Sequence, residues 1–131
     1  MTTQTNKETV LTAYEALFNK KDASIVERYW GPKYIQHNAM AVDGVDALKD
    51  VVKRLPANTR WEAGLAIEDG DLVMLQSRFI GMGPKPVIRI DIVRLENGKM
   101  VEHWDVQQEE VTTASGHPMF SPRRLTAAAT R

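Results

Sequence analysis

The order of hydrophobic periodicities along the chain predicts an α+β fold. Apolar residues recur at helical spacing as far as Leu55, then at alternating spacing from Arg60 onward. The turn dipeptides Asp69-Gly70 and Asn97-Gly98 fall between the apolar runs of the second half, as hairpin connections would. Three helices followed by an antiparallel meander argue for segregated α+β rather than alternating α/β.

The first helix is predicted over about 7–19, where Val10, Leu11, Tyr14, Leu17 and Phe18 form one stripe. Lys20-Lys21-Asp22 breaks it, and Asp22 is placed to cap a short second helix carrying Ile25, Val26 and Tyr29. Gly31-Pro32 is expected to end that helix, with a short strand over 34–37 after it. A third helix is predicted over 45–55, with Val45, Leu48, Val51, Val52 and Leu55 on one side and Pro56 as its stop. Strands are expected over 60–67, 72–80, 87–95 and 99–108. The remainder, 109–131, reads as a loosely structured tail pinned by Met119 and Phe120.

At 131 residues and 43% hydrophobic content, the whole chain, 1–131, is expected to form one domain with an ordinary core. Seventeen basic residues balance seventeen acidic ones, so nothing favours a nucleic-acid partner. The absence of cysteine removes disulfides, thiolate catalysis and cysteine-ligated metals from consideration. No apolar run approaches the roughly 20 residues a membrane span needs, and the first residues lack an apolar signal core. The expectation is a soluble, cytoplasmic protein with no membrane partner.

The hairpin around Asn97-Gly98 carries most of the chemistry, and two registers fit it. A two-residue loop pairs Glu96 with Lys99 and sets Asp91 opposite Trp104. A three-residue loop pairs Leu95 with Lys99, sets Asp91 opposite His103 and sets Arg89 opposite Asp105. Side-chain segregation favours the second. It gathers Ile88, Ile90, Ile92, Trp104 and Val106 on one face, and Arg89, Asp91, His103, Asp105 and Gln107 on the other. The polar face either lies in solvent, with Arg89 and Asp105 as a surface ion pair, or lines a pocket while the isoleucine face meets a second subunit.

Several segments resemble one family. Tyr34-Ile35-Gln36-His37-Asn38, Ile90-Asp91-Ile92-Val93-Arg94-Leu95 and the run Gly98-Lys99-Met100-Val101-Glu102-His103-Trp104-Asp105-Val106-Gln107 are similar to SnoaL-like polyketide cyclases. They are most similar to the aldol-condensation branch of the nuclear transport factor 2-like, ketosteroid isomerase-like superfamily. The resemblance implies a cone-shaped α+β barrel: three N-terminal helices packed on a curved, mainly antiparallel sheet, with a pocket between them. It also implies cofactor-free chemistry, no metal, and a homodimer formed through the outer sheet face.

The resemblance further marks Asp105 as the acid/base aspartate. Tyr14, Asp91 and His37 fall where the isomerase places its oxyanion tyrosine, protonated acid and general base. The isomerase's pairing of groups with unlike pKa is a known pattern of such sites. His103 is expected to couple to Asp91. Trp30, Trp61, Met74 and Phe79 are candidates for an apolar pocket wall, with Asn38, Gln76 and Arg89 as its polar lining. Gln76 departs from the family, where a histidine is expected in that strand. A His/Asp metal site made of His37, Asp91, His103 and Asp105 is the weaker reading, because His-x-Asp spacing alone is a poor signal.

The expected function is a cofactor-independent acid/base enzyme, a cyclase or isomerase working through an enolate on a small apolar carbonyl compound. The alternatives are a non-catalytic small-ligand-binding or association domain, and a hydrolase or dehydratase of the same fold.

Overall fold

The computed structural model describes residues 4–123. Helix α1 (Asn6–Tyr14) opens on a capping box: the Thr5 hydroxyl accepts from the Glu8 amide at 3.1 Å, and the Glu8 carboxylate accepts from the Thr5 amide at 2.8 Å. The helix then widens into a π-helical segment, Glu15–Asn19, in which the Lys20 amide reaches back to the Glu15 carbonyl at 3.2 Å. Asn19 closes this segment against the sheet. Its side-chain oxygen accepts the Trp61 amide at 2.6 Å, and its side-chain nitrogen donates to the Trp61 carbonyl at 2.9 Å. Lys21 takes the left-handed conformation, φ 53°, which ends the helix, and its ammonium donates to the Thr59 carbonyl at 2.7 Å. The Asp22 side chain accepts the Ser24 amide at 3.0 Å and starts a short 3-10 turn, Ala23–Ile25, that leads into α2 (Val26–Tyr29).

Gly31-Pro32 does not form a loop after that helix. Both residues lie inside strand β1, Trp30–Gln36, which starts four residues earlier than the 34–37 expectation. Proline is tolerated there because β1 is an edge strand whose register shifts between Trp30 and Ile35, so no ladder bond needs its missing N–H. Helix α3 (Val45–Lys53) follows, and then β2 (Arg60–Asp69), β3 (Leu72–Ile80), β4 (Val87–Glu96) and β5 (Lys99–Glu109).

The five strands form one curved, unclosed sheet in the order β1-β5-β4-β3-β2. Only β1 pairs in parallel, with β5; the other pairs are antiparallel. The three helices cover one face of this sheet. Between them lie Val10, Leu17, Val26, Val73, Leu75, Val93 and Met100, all fully buried. An aromatic cluster joins the layers: the Tyr14 ring centroid lies 5.3 Å from that of Phe18 and 5.6 Å from that of Trp61, and Phe18 meets Phe79 edge-on at 5.1 Å.

The β4–β5 hairpin takes neither expected register. Asn97 (φ 51°) and Gly98 (φ 77°) make a two-residue turn of the type that needs two positive φ angles, and Glu96 pairs with Lys99. Leu95 then pairs with Met100, but Arg94 pairs with Glu102, so Val101 has no partner across the ladder. That bulge restores the expected side-chain faces while moving the pairing on by two. Asp91 stands opposite Asp105, and Arg89 opposite Gln107.

The C-terminal segment is anchored to the outer face as far as it is described. Gln76 grips it at two points, donating to the Met119 carbonyl at 2.9 Å and accepting the Ser121 amide at 3.0 Å. Phe120 is buried with the Arg78 guanidinium 5.8 Å from its ring centroid, and the Arg123 amide donates to the Ala63 carbonyl at 3.1 Å. The expected pinning by Phe120 is present; the part of the predicted tail over 124–131 lies outside the described residues. No helix among the described residues is long and apolar enough to cross a membrane.

The tail contact depends on Gly64. A Cβ there would stand 2.5 Å from Gln76 Oε1, 2.8 Å from Phe120 Cε1 and 3.0 Å from the Ser121 carbonyl oxygen. Gly64→Ala is therefore expected to lift residues 119–123 off the sheet at a cost of about 1–3 kcal/mol. Limited proteolysis should then cut after residue 110 faster than in the native chain, while the far-ultraviolet spectrum stays unchanged.

Candidate active site

Strand alternation brings the site together. On β4 the inner face carries Arg89 and Asp91; on β5 it carries His103, Asp105 and Gln107; Ser77 stands on the same face of β3. Asp91 and Asp105 are directly opposed, an arrangement that costs energy unless a positive group intervenes. The Arg89 guanidinium does, and the His103 ring is a second neighbour of both acids. The Arg89 guanidinium lies 3.7 Å (Nε) from Asp91 Oδ1 and 3.3 Å (Nη1) from Asp105 Oδ2. His103 Nε2 lies 2.7 Å from Asp91 Oδ1 and 3.6 Å from Asp105 Oδ2.

Asp91 is fully buried and serves as an acceptor at both oxygens. The Trp61 indole N–H donates to Ser77 Oγ at 2.9 Å, the Ser77 hydroxyl donates to Asp91 Oδ2 at 3.1 Å, and His103 Nε2–H donates to Asp91 Oδ1. On its other side, His103 Nδ1 lies 2.7 Å from Gln36 Oε1. With the Gln36 carbonyl turned to the ring, both nitrogens donate and the ring is an imidazolium. With the amide turned over, Nδ1 accepts and the ring is neutral, so the orientation of Gln36 and the charge of His103 are linked.

Asp105 has a different shell. Asn38 Nδ2 lies 2.8 Å and 2.7 Å from its two oxygens, and Arg89 Nη1 makes the third, longer contact. Burial works against the charge on Arg89, but Asp91, Tyr14 and Asp105 more than offset it and hold its pKa above the ordinary value. The guanidinium is also stacked 4.2 Å from the centroid of Phe79. Burial pushes the Tyr14 phenol well above its ordinary pKa near 10, and the neighbouring Asp91 charge adds to that. Tyr34 is raised in the same way, again mainly by burial. Both remain un-ionised donors at neutral pH.

These groups floor a cavity of about 530 Å³ between the helices and the sheet. Tyr14, Trp30, Tyr34, Asn38, Arg89, His103 and Asp105 line it; Phe18, Leu48, Val51 and Leu55 make its apolar wall; Met40, Val42 and Met82 stand at its mouth. Of the residues singled out from sequence, Tyr14, Trp30, Asn38, Arg89, His103 and Asp105 meet here, with Asp91 beneath them.

Five others do not line the cavity. His37 is on the outer face, stacked on Trp104 at 4.8 Å and 3°, with Nε2 2.8 Å from Glu102. The reason is alternation: Gln36 pairs with His103 and faces inward, so His37 faces outward with Ile35. The His37 and Arg94 contacts hold the Glu102 carboxyl below its ordinary pKa. Trp61 and Phe79 are core residues; the first reaches the site through Ser77 and by packing against Tyr14, and the second by stacking under Arg89. Met74 is exposed on the outer sheet face, and Gln76, where the resemblance expects a histidine, is spent on gripping the tail. Sequence reasoning missed Ser77, Gln36 and Tyr34. Ser77 had a signal: it is the one hydroxyl in the otherwise apolar alternation Val73, Leu75, Ser77, Phe79.

Asp91, His103 and Asp105 offer ligand atoms within 4.8 Å of one another, a donor set that suits a divalent ion. The Arg89 guanidinium bridges the same two carboxylates, so an ion would have to displace a buried, stacked cation.

A family model described as SnoaL-like polyketide cyclase matches residues 8–113. Among solved structures, the chain is similar to TsrD from Streptomyces laurentii, at 17% identity over 82% of this chain and 92% of that one, with a TM-score of 0.69. It is also similar to IdmH from Streptomyces antibioticus, described as a candidate polyketide cyclase, at 18% identity over 80% and 93%, TM-score 0.65. A third similar structure is an NTF2-like protein of unknown function from Cytophaga hutchinsonii, at 17% identity over 82% and 95%, TM-score 0.70. At these identities the likeness concerns the fold. No curated protein matches the chain.

Two outcomes follow from the buried network. Ser77→Ala strands the Trp61 N–H and removes a donor from Asp91, and should lower stability by about 1–3 kcal/mol in urea denaturation. Two of the three tyrosines, Tyr14 and Tyr34, keep their protons in the folded state at pH values where the unfolded chain releases them. The folded state then binds more protons than the unfolded one, so their contribution to stability is intact below pH 10 and falls as pH rises beyond it. Absorbance at 295 nm during alkaline titration should show two phenols ionising only with unfolding.

Proposed function

The chain belongs to the SnoaL-like polyketide cyclase family, and from that premise we propose that it is a cofactor-independent acid/base enzyme that forms an enolate on a small, mostly apolar carbonyl compound. The observation that carries this reading is the Asp105 carboxylate at the cavity floor, beside phenol and guanidinium donors that cannot lose their protons at neutral pH. A ketone oxygen directed at Tyr14, Tyr34 and Arg89 leaves its α-carbon near Asp105. Asp105 takes the α-proton, and the donors stabilise the enolate oxygen as charge develops on it. The enolate carbon then bonds to a second carbonyl carbon of the same molecule, and the new alkoxide takes back from Asp105 the proton that Asp105 removed. Reprotonation at another carbon instead gives an isomerase. His37 has no part in this scheme, because it lies across the sheet from the cavity.

A ligand-binding reading draws on the completeness of the pairing around Asp91 and His103, which leaves Asp105 as the cavity's principal acceptor. The same experiment separates the two. Solvent deuterium exchange into cyclic ketones and 1,3-diketones is followed by NMR. The enzyme reading expects exchange next to a carbonyl, a loss of about 100-fold or more in Asp105→Asn, and a smaller loss in Tyr14→Phe. It expects no change in His37→Ala. Binding without exchange for any compound favours the ligand-binding reading.

We further propose a homodimer through the outer sheet face, where Ile67 and Met74 pair across β2 and β3 and Met74 pairs with Ile92. Ile67 and Met74 are exposed apolar residues there. Met74→Glu should shift the sedimentation coefficient from dimer to monomer; an unchanged coefficient places the interface elsewhere.

A further inference from the structure

Asn38 joins two parts of the molecule that the proposed chemistry uses at different moments. Its side-chain nitrogen holds both oxygens of Asp105, at 2.8 Å and 2.7 Å. Its side-chain oxygen accepts the Met40 and Ala41 amides, each at 2.7 Å. Among the described residues, these are the only hydrogen bonds that 39–42 make. The same stretch stands at the mouth, with Met40 91% and Val42 70% exposed. The ends of the loop are fastened separately, by His37 N–H to the His103 carbonyl at 2.8 Å and by Gly44 N–H to the Tyr34 carbonyl at 2.8 Å. The loop tip can therefore open while its base stays in place, and the one side chain it must release is the closest partner of Asp105.

We propose that Asn38 is a positioning residue that makes the placement of the Asp105 carboxylate conditional on closure of the mouth loop 39–42. With the loop closed, Asn38 is fixed by two backbone donors and presents its N–H groups to Asp105. With the loop open, Asn38 is free to turn and Asp105 is left to Arg89, whose contact at 3.3 Å is the longer one. Entry of a ligand and seating of the carboxylate are thus two ends of one event. The proposal rests on Asp105 as the base, but the coupling itself does not need turnover to be observed.

Linkage makes the test reciprocal: a change at Asp105 must be felt in the loop. In Asp105→Ala, hydrogen exchange at the Met40 and Ala41 amides is expected to quicken about fivefold or more relative to the core amide of Val93, which reports global opening. Conversely, in Asn38→Ala the Asp105 carboxyl carbon NMR signal is expected to move from its native position across the pH range. If Asn38 held the loop independently of Asp105, the Met40 and Ala41 exchange rates would be unchanged in Asp105→Ala. Exchange within twofold of native in Asp105→Ala overturns the proposal; should that variant fold poorly, coincident carboxyl signals in native and Asn38→Ala protein overturn it instead. Coupling without any α-exchange activity leaves this inference standing and removes the enolate reading. Activity without coupling does the reverse.

Discussion

The opposition of two carboxylates across β4 and β5 organises the rest of the inner sheet face. It arises from one unpaired residue, Val101, which follows a tight two-residue turn and shifts the ladder so that Asp91 meets Asp105. Two buried carboxyl groups in that position are tolerable only with donors set between them. Arg89 and His103, each two residues from one of the acids, stand where the sheet puts a diagonal neighbour. The remaining polar contacts then follow as a matter of satisfaction. Ser77 and Trp61 complete Asp91, Gln36 completes His103, and Asn38 completes Asp105. The Arg89 Nε and Trp30 Nε1 donors are left without a hydrogen-bond partner on the walls and floor of the cavity.

The two acids are chemically alike but differently placed. Asp91 is sealed on every side and acts as a fixture for His103. Asp105 reaches the cavity and is held by a residue from outside the regular sheet. The division of labour comes from the walls around each carboxylate, and the outer sheet face mirrors it with its own pairings of His37, Glu102 and Arg94.

Much of this was legible in the chain. The helices and strands followed from periodicity because each buries one stripe or one face, and the segregation of Ile88, Ile90 and Ile92 from Arg89 and Asp91 identified which side chains share a face. The pairing register was not legible: Asn97-Gly98 fixes a turn, but the bulge falls on Val101, a β-branched residue no different in kind from its strand neighbours. His37 was drawn toward the site by the resemblance and by its chemistry, but on β1 it shares the phase of Ile35, and the pairing of Gln36 with His103 gives the inner face to the other phase. Trp61 and Phe79 show that size predicts burial but not whether a ring faces a cavity or supports a polar group. Gln76 shows that a position departing from a family can have been taken up by another contact, in this case the tail.

The π-helical segment Glu15–Asn19 has a consequence for how this sequence can change length. A π turn holds one more residue than an α turn, so it is the trace an inserted residue leaves in a helix. Here the slack is not free to be taken back. Tyr14, before it, is fixed in the cavity, and Asn19, after it, is fastened to both backbone groups of Trp61. Deleting one residue between them would tighten the helix and swing Asn19 by about 100° away from β2. The helix therefore carries a register as strict as that of a strand, and related chains that lack the extra residue must secure the start of β2 by some other means.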